Sequence, residues 1–212
     1  LYINNAFAVC HRKHASVSVI TKFLPSYAGF LVEEETNQLD NMINLLKDGK
    51  IFIMGGAKTK TKIPVIKNFI DKSQNILVGG VVANDILKEM GVDIGLSVVD
   101  GDTAGLLEGL DIKDNRLIIP FDFNIFEKKI FDIGPKTIKE YINTIKGAKV
   151  IIWNGPMGLF EDKRFSIGTN SIAQAIAVSG AFNVLGGGDT IAAVDRLGLL
   201  NKFDFVSTGG GS

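Results

Sequence analysis

One unit recurs along most of this chain: an apolar, β-branched run ends in glycine, and a helix-like stretch follows. "IFIM" meets Gly55-Gly56, "ILV" meets Gly79-Gly80, and "VIIWN" meets Gly155. "FNVL" meets Gly186-Gly187-Gly188, and "FDFVST" meets Gly209-Gly210-Gly211. Helical stretches lie between, among them "IPVIKNFIDK", "VVANDILKEM", "PKTIKEYINTIKG", "SIGTNSIAQAIAVSG" and "TIAAVDRLG". Strands alternating with helices of this length build right-handed βαβ crossovers and a parallel sheet. The runs are apolar almost throughout, as strands must be when helices cover both faces of a sheet. The glycine turns then share one edge, outside the carboxyl ends of the strands, where open α/β sheets bind ligands. A single such glycine has a plainer reading, because strand-to-helix turns often require positive φ. The clusters together point to a shared binding rim.

The fold class that follows is α/β: a Rossmann-like, three-layer domain with a parallel sheet, preceded by part of a second α/β lobe. Residues 27–47 read as one long amphipathic helix that could link two lobes, and "KHASVSVITKFLPS" before it need not belong to the same sheet. Residues 91–130 fit the repeating unit less well: "LIIPFDF" reads as a strand with an edge-type continuation and "DIKDN" as a loop. The expected division is a lobe remnant over 1–26, a connecting helix over 27–47 and a ligand-binding domain over 48–212. Both ends look cut, with "LYINNAFAV" in mid-strand and "FVSTGGGS" stopping where a helix would open, so a longer parent chain is expected; a processed mature protein is the alternative. Lys plus Arg and Asp plus Glu both number 23, so neither nucleic acid nor a membrane surface is expected as the main partner. The only cysteine is Cys10, which is compatible with a reducing cytoplasm. No apolar run approaches membrane-spanning length.

The chemistry concentrates at the glycine turns. After Gly55-Gly56, Lys58, Lys60 and Lys62 crowd the start of a helix, with Pro64 read into its first turn, Lys62 at or just before its start and Lys58 in the loop ahead. That end of a helix carries a partial positive charge, so lysines there cost stability unless an anion joins them. The plain alternative is a solvated lysine loop. In "LGGGDTIAAVDRLG", Asp189 or Thr190 could cap a helix, or the glycines could admit a phosphate and Asp189 a hydrated Mg²⁺. In "IIWNGPMGLFE", Gly155-Pro156 turns Asn154 outward, where its amide could donate to a ligand, and Glu161 could accept from ribose hydroxyls. Arg12, within "CHRKH", suits a carboxylate or phosphate. No P-loop and no clean G-x-G-x-x-G is present, which disfavours a dinucleotide dehydrogenase. No metal-ligand Cys/His spacing and no nucleophile constellation stands out.

Taken in order, "NNAFAVCHRKHAS", "GGAKTKTK", "DIGPKT", "WNGPMGLFE", "GGGDT" and "STGGG" closely resemble the phosphoglycerate kinase family, over essentially the whole chain. The resemblance implies a two-lobe glycolytic enzyme of the cytoplasm, monomeric when full length. It would move a phosphoryl group between 1,3-bisphosphoglycerate and MgADP, with small-molecule substrates only. It implies that Arg12 holds phosphoglycerate, and that Lys62, with Lys58 beside it, stabilises the phosphoryl group in flight. Gly79, Gly80 and Pro156 would flank the adenine, Glu161 the ribose, and Asn154 the phosphates. Gly187 and Gly188 would approach the nucleotide, ADP or ATP, with Thr190 on a phosphate and Asp189 toward Mg²⁺. The amides of Gly209, Gly210 and Gly211 would receive the transferred group. Three positions depart from the family pattern: Asn5 stands for its Asp, Ala8 for its Gly, and Thr61 for the Asp before the second lysine. With most of the substrate lobe absent, the chain alone is expected to turn over negligibly. A nucleotide-binding module without catalysis and a Rossmann-like oxidoreductase are the competing classes.

Overall fold

A computed structural model describes residues 1–43 and 47–209. The chain forms two units, one of residues 1–45 with 207–212, the other of residues 46–206. Residues 207–209, expected with the ligand-binding domain, thus group with the first unit.

In the first unit, β1 (Tyr2–Asn4) pairs in parallel with β2 (Ser26–Ala28). Short 3₁₀ and π-helical turns fill the stretch between them, so "KHASVSVITKFLPS" supplies almost no strand, only Ser26 at the start of β2. The helix α1 spans Phe30–Ile43, shorter than expected because Ser26–Ala28 is taken up by β2. Asn5 Oδ1 accepts the Leu31 amide at 2.8 Å, so the residue that departs from the family pattern serves as a polar anchor for the helix start. One oxygen of the buried Glu35 accepts from both the amide and the hydroxyl of Thr208, each at 2.7 Å.

The second unit is built on a six-stranded parallel sheet. Its elements run β3 (Lys50–Met54), α2 (Thr59–Ile70), β4 (Asn75–Val78), α3 (Gly80–Glu89), α4 (Thr103–Leu107), β5 (Leu117–Ile118), β6 (Phe123–Phe126), β7 (Lys129–Ile133), α5 (Pro135–Lys146), β8 (Val150–Asn154), α6 (Ile167–Ala177), β9 (Phe182–Gly186), α7 (Gly188–Arg196) and β10 (Phe205–Val206). The strand order β10-β9-β8-β3-β4-β5 reverses direction between β3 and β8, the doubly wound arrangement with its switch point there.

Alternation along β3 shows how three layers form. Ile51 and Ile53 enter the cluster with Trp153 of β8, Tyr141 of α5 and Ile172 of α6, while Phe52 turns the other way and stacks on Phe69 of α2 at 4.6 Å. Every residue of β3 is buried, as helices on both faces require. Polar tips in this core are satisfied: the Trp153 indole donates to the Gly155 carbonyl at 2.8 Å, and the Tyr141 hydroxyl lies 2.7 Å from the Val78 carbonyl.

"LIIPFDF" divides where Pro120 interrupts it. Leu117–Ile118 closes the sheet edge as β5, and β6 leaves to form an antiparallel hairpin with β7. Asp122 holds that hairpin to α5: its carboxylate accepts the Lys136 amide at 2.9 Å and the Thr137 amide at 2.7 Å, at the end of the helix that favours negative charge. Asp122→Ala should therefore cost about 1–2 kcal/mol in a urea denaturation midpoint experiment, as loss of a helix cap does; an unchanged midpoint would contradict this anchoring.

Candidate active site

The switch point brings three glycine turns together. Gly55 donates to the Asn154 carbonyl at 2.9 Å, Gly56 to the Pro156 carbonyl at 2.7 Å, and Gly80 to the Met157 carbonyl at 2.8 Å. Val81 returns a bond to the Gly56 carbonyl at 2.9 Å, so the turns after β3, β4 and β8 form one backbone-bonded platform. Two glycines are required by this closeness. Gly155 has φ +95° and a side chain there would overlap the Gly55 carbonyl; Gly80 has φ +59° and a Cβ would lie 2.5 Å from the Gly56 nitrogen.

The lysine loop differs in register from the sequence reading. The helix α2 begins at Thr59, so Lys62 sits inside it as its fourth residue and Pro64 as its sixth, beyond the first turn. Lys58 is the cap, held in the left-handed conformation at φ 63°, a position that strains a side-chain-bearing residue by roughly 1–2 kcal/mol. Thr61, standing where the family has Asp, donates its hydroxyl to the Lys58 carbonyl at 2.8 Å and so braces that strained residue. The N-terminal amide of Lys60 is met by Asp100 at 3.2 Å.

The Lys62 ammonium donates to the Gly55 carbonyl and, at 3.3 Å, to Asn154 Oδ1. Asn154 thus presents its oxygen to the lysine, where the sequence reading had its amide facing a ligand. Burial lowers the Lys62 pKa to about 8; Asp189 opposes the shift and Lys58 adds to it. Across the crevice, α7 opens at Gly187 with φ 87° and no side-chain cap, so neither Asp189 nor Thr190 caps it. Asp189 is exposed in the first turn, and no atom lies near the open side of Gly188. The buried Thr190 hydroxyl instead accepts the Gly155 amide at 2.6 Å, fastening β8's turn to α7.

Beside this platform lies a cleft of about 230 Å³. Gly80, Pro156, Glu161 and Asp189 line it, with Phe123 and Phe131 of the hairpin on another wall. Gly79 is buried behind it, its amide donating to the Met54 carbonyl at 2.9 Å. Arg12, exposed, and Gly209 belong to the first unit; the Gly209 amide donates to Ser207 Oγ at 3.1 Å. Gly210 and Gly211 lie outside the described residues. Among the described residues no group of three or more His, Cys, Asp or Glu could hold a metal by itself.

The sequence reading did not single out Asp132. Its buried carboxylate lines the cleft, accepts Gly168 at the start of α6 at 2.6 Å and Ile133 at 2.9 Å, and leaves room only for glycine at positions 158 and 168. The loop carrying Pro156 and Glu161 rests on it, with the Leu159 amide on the Phe131 carbonyl at 2.8 Å. Burial pushes the carboxyl from 3.8 up to about 7, against those two amide bonds, so the protonated form is favoured in the fold. Its stabilising contribution is then full below about pH 4 and lost as pH rises through about 7. The thermal midpoint of the chain should fall across that window relative to Asp132→Asn, which does not titrate; a difference independent of pH would contradict the assignment.

The whole chain, residues 1–212, matches the family model described as phosphoglycerate kinase. It is 37% identical over 238 aligned positions to the phosphoglycerate kinase of Chloroflexus aurantiacus, covering all of this chain and 60% of that protein. The corresponding figures are 39%, all of this chain and 59% of the other for the enzyme of Leptospira biflexa. The solved structure of the Coxiella burnetii phosphoglycerate kinase superposes with a TM-score of 0.83 at 33% identity, over 97% of this chain and 60% of that one. That of Pyrococcus horikoshii OT3 gives 0.83 at 30% identity, over 99% and 59%. The chain thus spans about 60% of the length of the curated relatives it matches. With a doubly wound sheet, a lysine loop at its switch point and these relatives, this chain belongs to the phosphoglycerate kinase family.

Proposed function

We propose that this chain carries the nucleotide half of a phosphoglycerate kinase, an enzyme that moves a phosphoryl group reversibly between 1,3-bisphosphoglycerate and ADP. The observation that carries the reading is Lys62, a half-buried cation at the sheet's switch point with no carboxylate of the described residues in contact, facing the glycine-rich start of α7. Such a cation is poorly solvated, and a phosphate between it and the amides of α7 would relieve that. Phosphoryl transfer asks mainly for position and fixed charge, which fits a site built without a nucleophile.

In this reading the cleft takes the base between Gly80 and Pro156, and Glu161 the ribose. Lys62 and Lys58 stabilise charge on the transferred group, and Asn154 orients Lys62. A magnesium ion, held chiefly by phosphate and water oxygens, would neutralise further charge, and Asp189 is the carboxylate at the phosphate end that suits it. Arg12 and Gly209 belong to the phosphoglycerate side, in a lobe of which the first unit forms a part, and α1 leads along the chain from that unit to the nucleotide domain. Among the described residues no helix is long and apolar enough to cross a membrane. The reading is of a monomeric, cytoplasmic, glycolytic enzyme. A nucleotide-binding chain without catalysis of its own is the expected behaviour in isolation.

Calorimetric titration with MgADP tests the reading. Lys62→Ala should weaken binding by about tenfold or more, since hydrogen bonds to charged groups contribute about 1.5–3 kcal/mol, and Asp189→Ala should weaken it only when magnesium is present. A folded chain that ignores MgADP would refute the site. Affinity should also fall as pH rises through about 8, because Lys62 then loses the proton that makes it attractive to phosphate. Lys62→Ala should abolish that dependence. In a coupled assay the purified chain should turn over negligibly.

A further inference from the structure

One acceptor in the cleft wall has no donor. Asn84, the fifth residue of α3, is buried and lines the cleft. Its side-chain nitrogen donates to the Val98 carbonyl at 3.0 Å, while its Oδ1 meets no hydrogen-bond donor among the described residues. A carbonyl can only accept, so Val98 decides which half of the amide is nitrogen and leaves the oxygen open. The segment that carries Val98 is itself held to β7: Ser97 Oγ accepts the Ile130 amide at 2.8 Å, and Gly95 bridges to Lys129. A buried acceptor without a partner is unfavourable to the fold. At the wall of a cleft, a ligand that donates relieves it.

The sheet order says which end of a nucleotide Asn84 would meet. Phosphates are expected at the start of α7, after β9, whereas α3 follows β4. These strands are separated by β8 and β3, hence by roughly 14 Å at ~4.8 Å per strand. Within α3, Gly80 and Asn84 stand one turn apart on the same face, roughly 6 Å along the axis. A base seated against Gly80 thus brings its outer edge toward Asn84. Two other polar side chains line this part of the cleft. The Asp132 carboxylate is committed to the amides of Gly168 and Ile133. Lys129 has donors only, and N7, which adenine and guanine share, suits it equally in both.

We propose that Asn84 is the residue that makes this cleft selective for adenine: its Oδ1 accepts a hydrogen bond from the 6-amino group. The inference rests on the nucleotide reading of the cleft. Guanine and hypoxanthine carry an oxygen in place of that amino group, which would set acceptor against acceptor and leave Asn84 unpaired. A site built to pair a substrate N–H discriminates against analogues that lack it for this reason.

The test is calorimetric titration of the full chain with the magnesium diphosphates of adenosine, guanosine, inosine and unsubstituted purine riboside. MgADP should bind about tenfold more tightly than the purine riboside diphosphate, from which only the 6-amino group is missing, a difference of about 1.4 kcal/mol. MgGDP and MgIDP should bind no more tightly than that analogue. Asn84→Ala, its fold checked by circular dichroism, should weaken MgADP about tenfold and leave the purine riboside diphosphate unchanged, so that the two become level. If Asn84→Ala does not fold, the comparison of those two ligands on the unaltered chain decides. Lys129→Ala should keep the adenine preference. Equal affinity for MgADP and the analogue, tighter binding of MgGDP or MgIDP than of MgADP, a preference that persists in folded Asn84→Ala, or one lost in Lys129→Ala would each overturn the proposal. Failure of all four nucleotides to bind a folded chain would overturn the nucleotide site itself.

Discussion

The second unit depends on two strands that sit side by side and send the chain in opposite directions. From β3 the sheet winds outward through β4 to β5, and from β8 it winds through β9 to β10. The helices that follow diverge, and their starts cannot close the gap between the strand ends. What fills it is backbone: the turns after β3, β4 and β8 bond to one another directly, which only glycines allow at that spacing. Gly155 is held from both sides as well, its amide by Thr190 and its carbonyl by Trp153. These bonds fix the floor beneath the charge that is set upon it.

That rigidity explains how the chain keeps an unfavourable cation in place. Lys62 is drawn partly out of water and meets a carbonyl and an amide oxygen, which are dipoles and not charges. Desolvation outweighs the attraction of Asp189, so the ammonium holds its proton more weakly than an exposed one does. Lys58 is strained nearby, with Thr61 bracing its carbonyl. Strain and desolvation concentrated in one loop, on a scaffold that over-determines it, are the condition in which binding sites store energy to be released by a ligand.

The cleft beside this platform is shaped by a different device. The β6–β7 hairpin is outside the parallel sheet and would be weak alone. It is fixed by Asp122 to α5, by Asp132 to α6, and by an aromatic group in which Phe131 stacks on Phe165 at 4.6 Å while Arg164 lies 5.1 Å from the Phe126 ring. Arg164 is itself fastened to Asp162. The loop that carries Pro156 and Glu161 is thus joined to the hairpin, and the two walls of the cleft act together.

Much of this was legible in the residues. Apolar runs ending in glycine, repeated with helices between, define a parallel sheet with one functional edge, because period and length alone separate such strands from helices. The motifs at that edge named Lys62, Gly80, Pro156, Glu161 and Asp189 before their neighbours were known. Other features needed the folded chain. The turn of the hairpin is Glu127-Lys128, both at positive φ, and lacks the Asn-Gly or Asp-Gly signal that would have announced it. Asp132 reads as one more acid beside a proline turn until Gly168, 36 residues away, is seen to donate to it. Thr190 reads as a cap or a phosphate ligand, and the packing of α7 against β8 decides that its hydroxyl holds Gly155. Local propensity and period act over a few residues and are written in order along the chain. Burial, and the partner each polar group finds there, depend on which distant segments meet, and only the tertiary structure decides that.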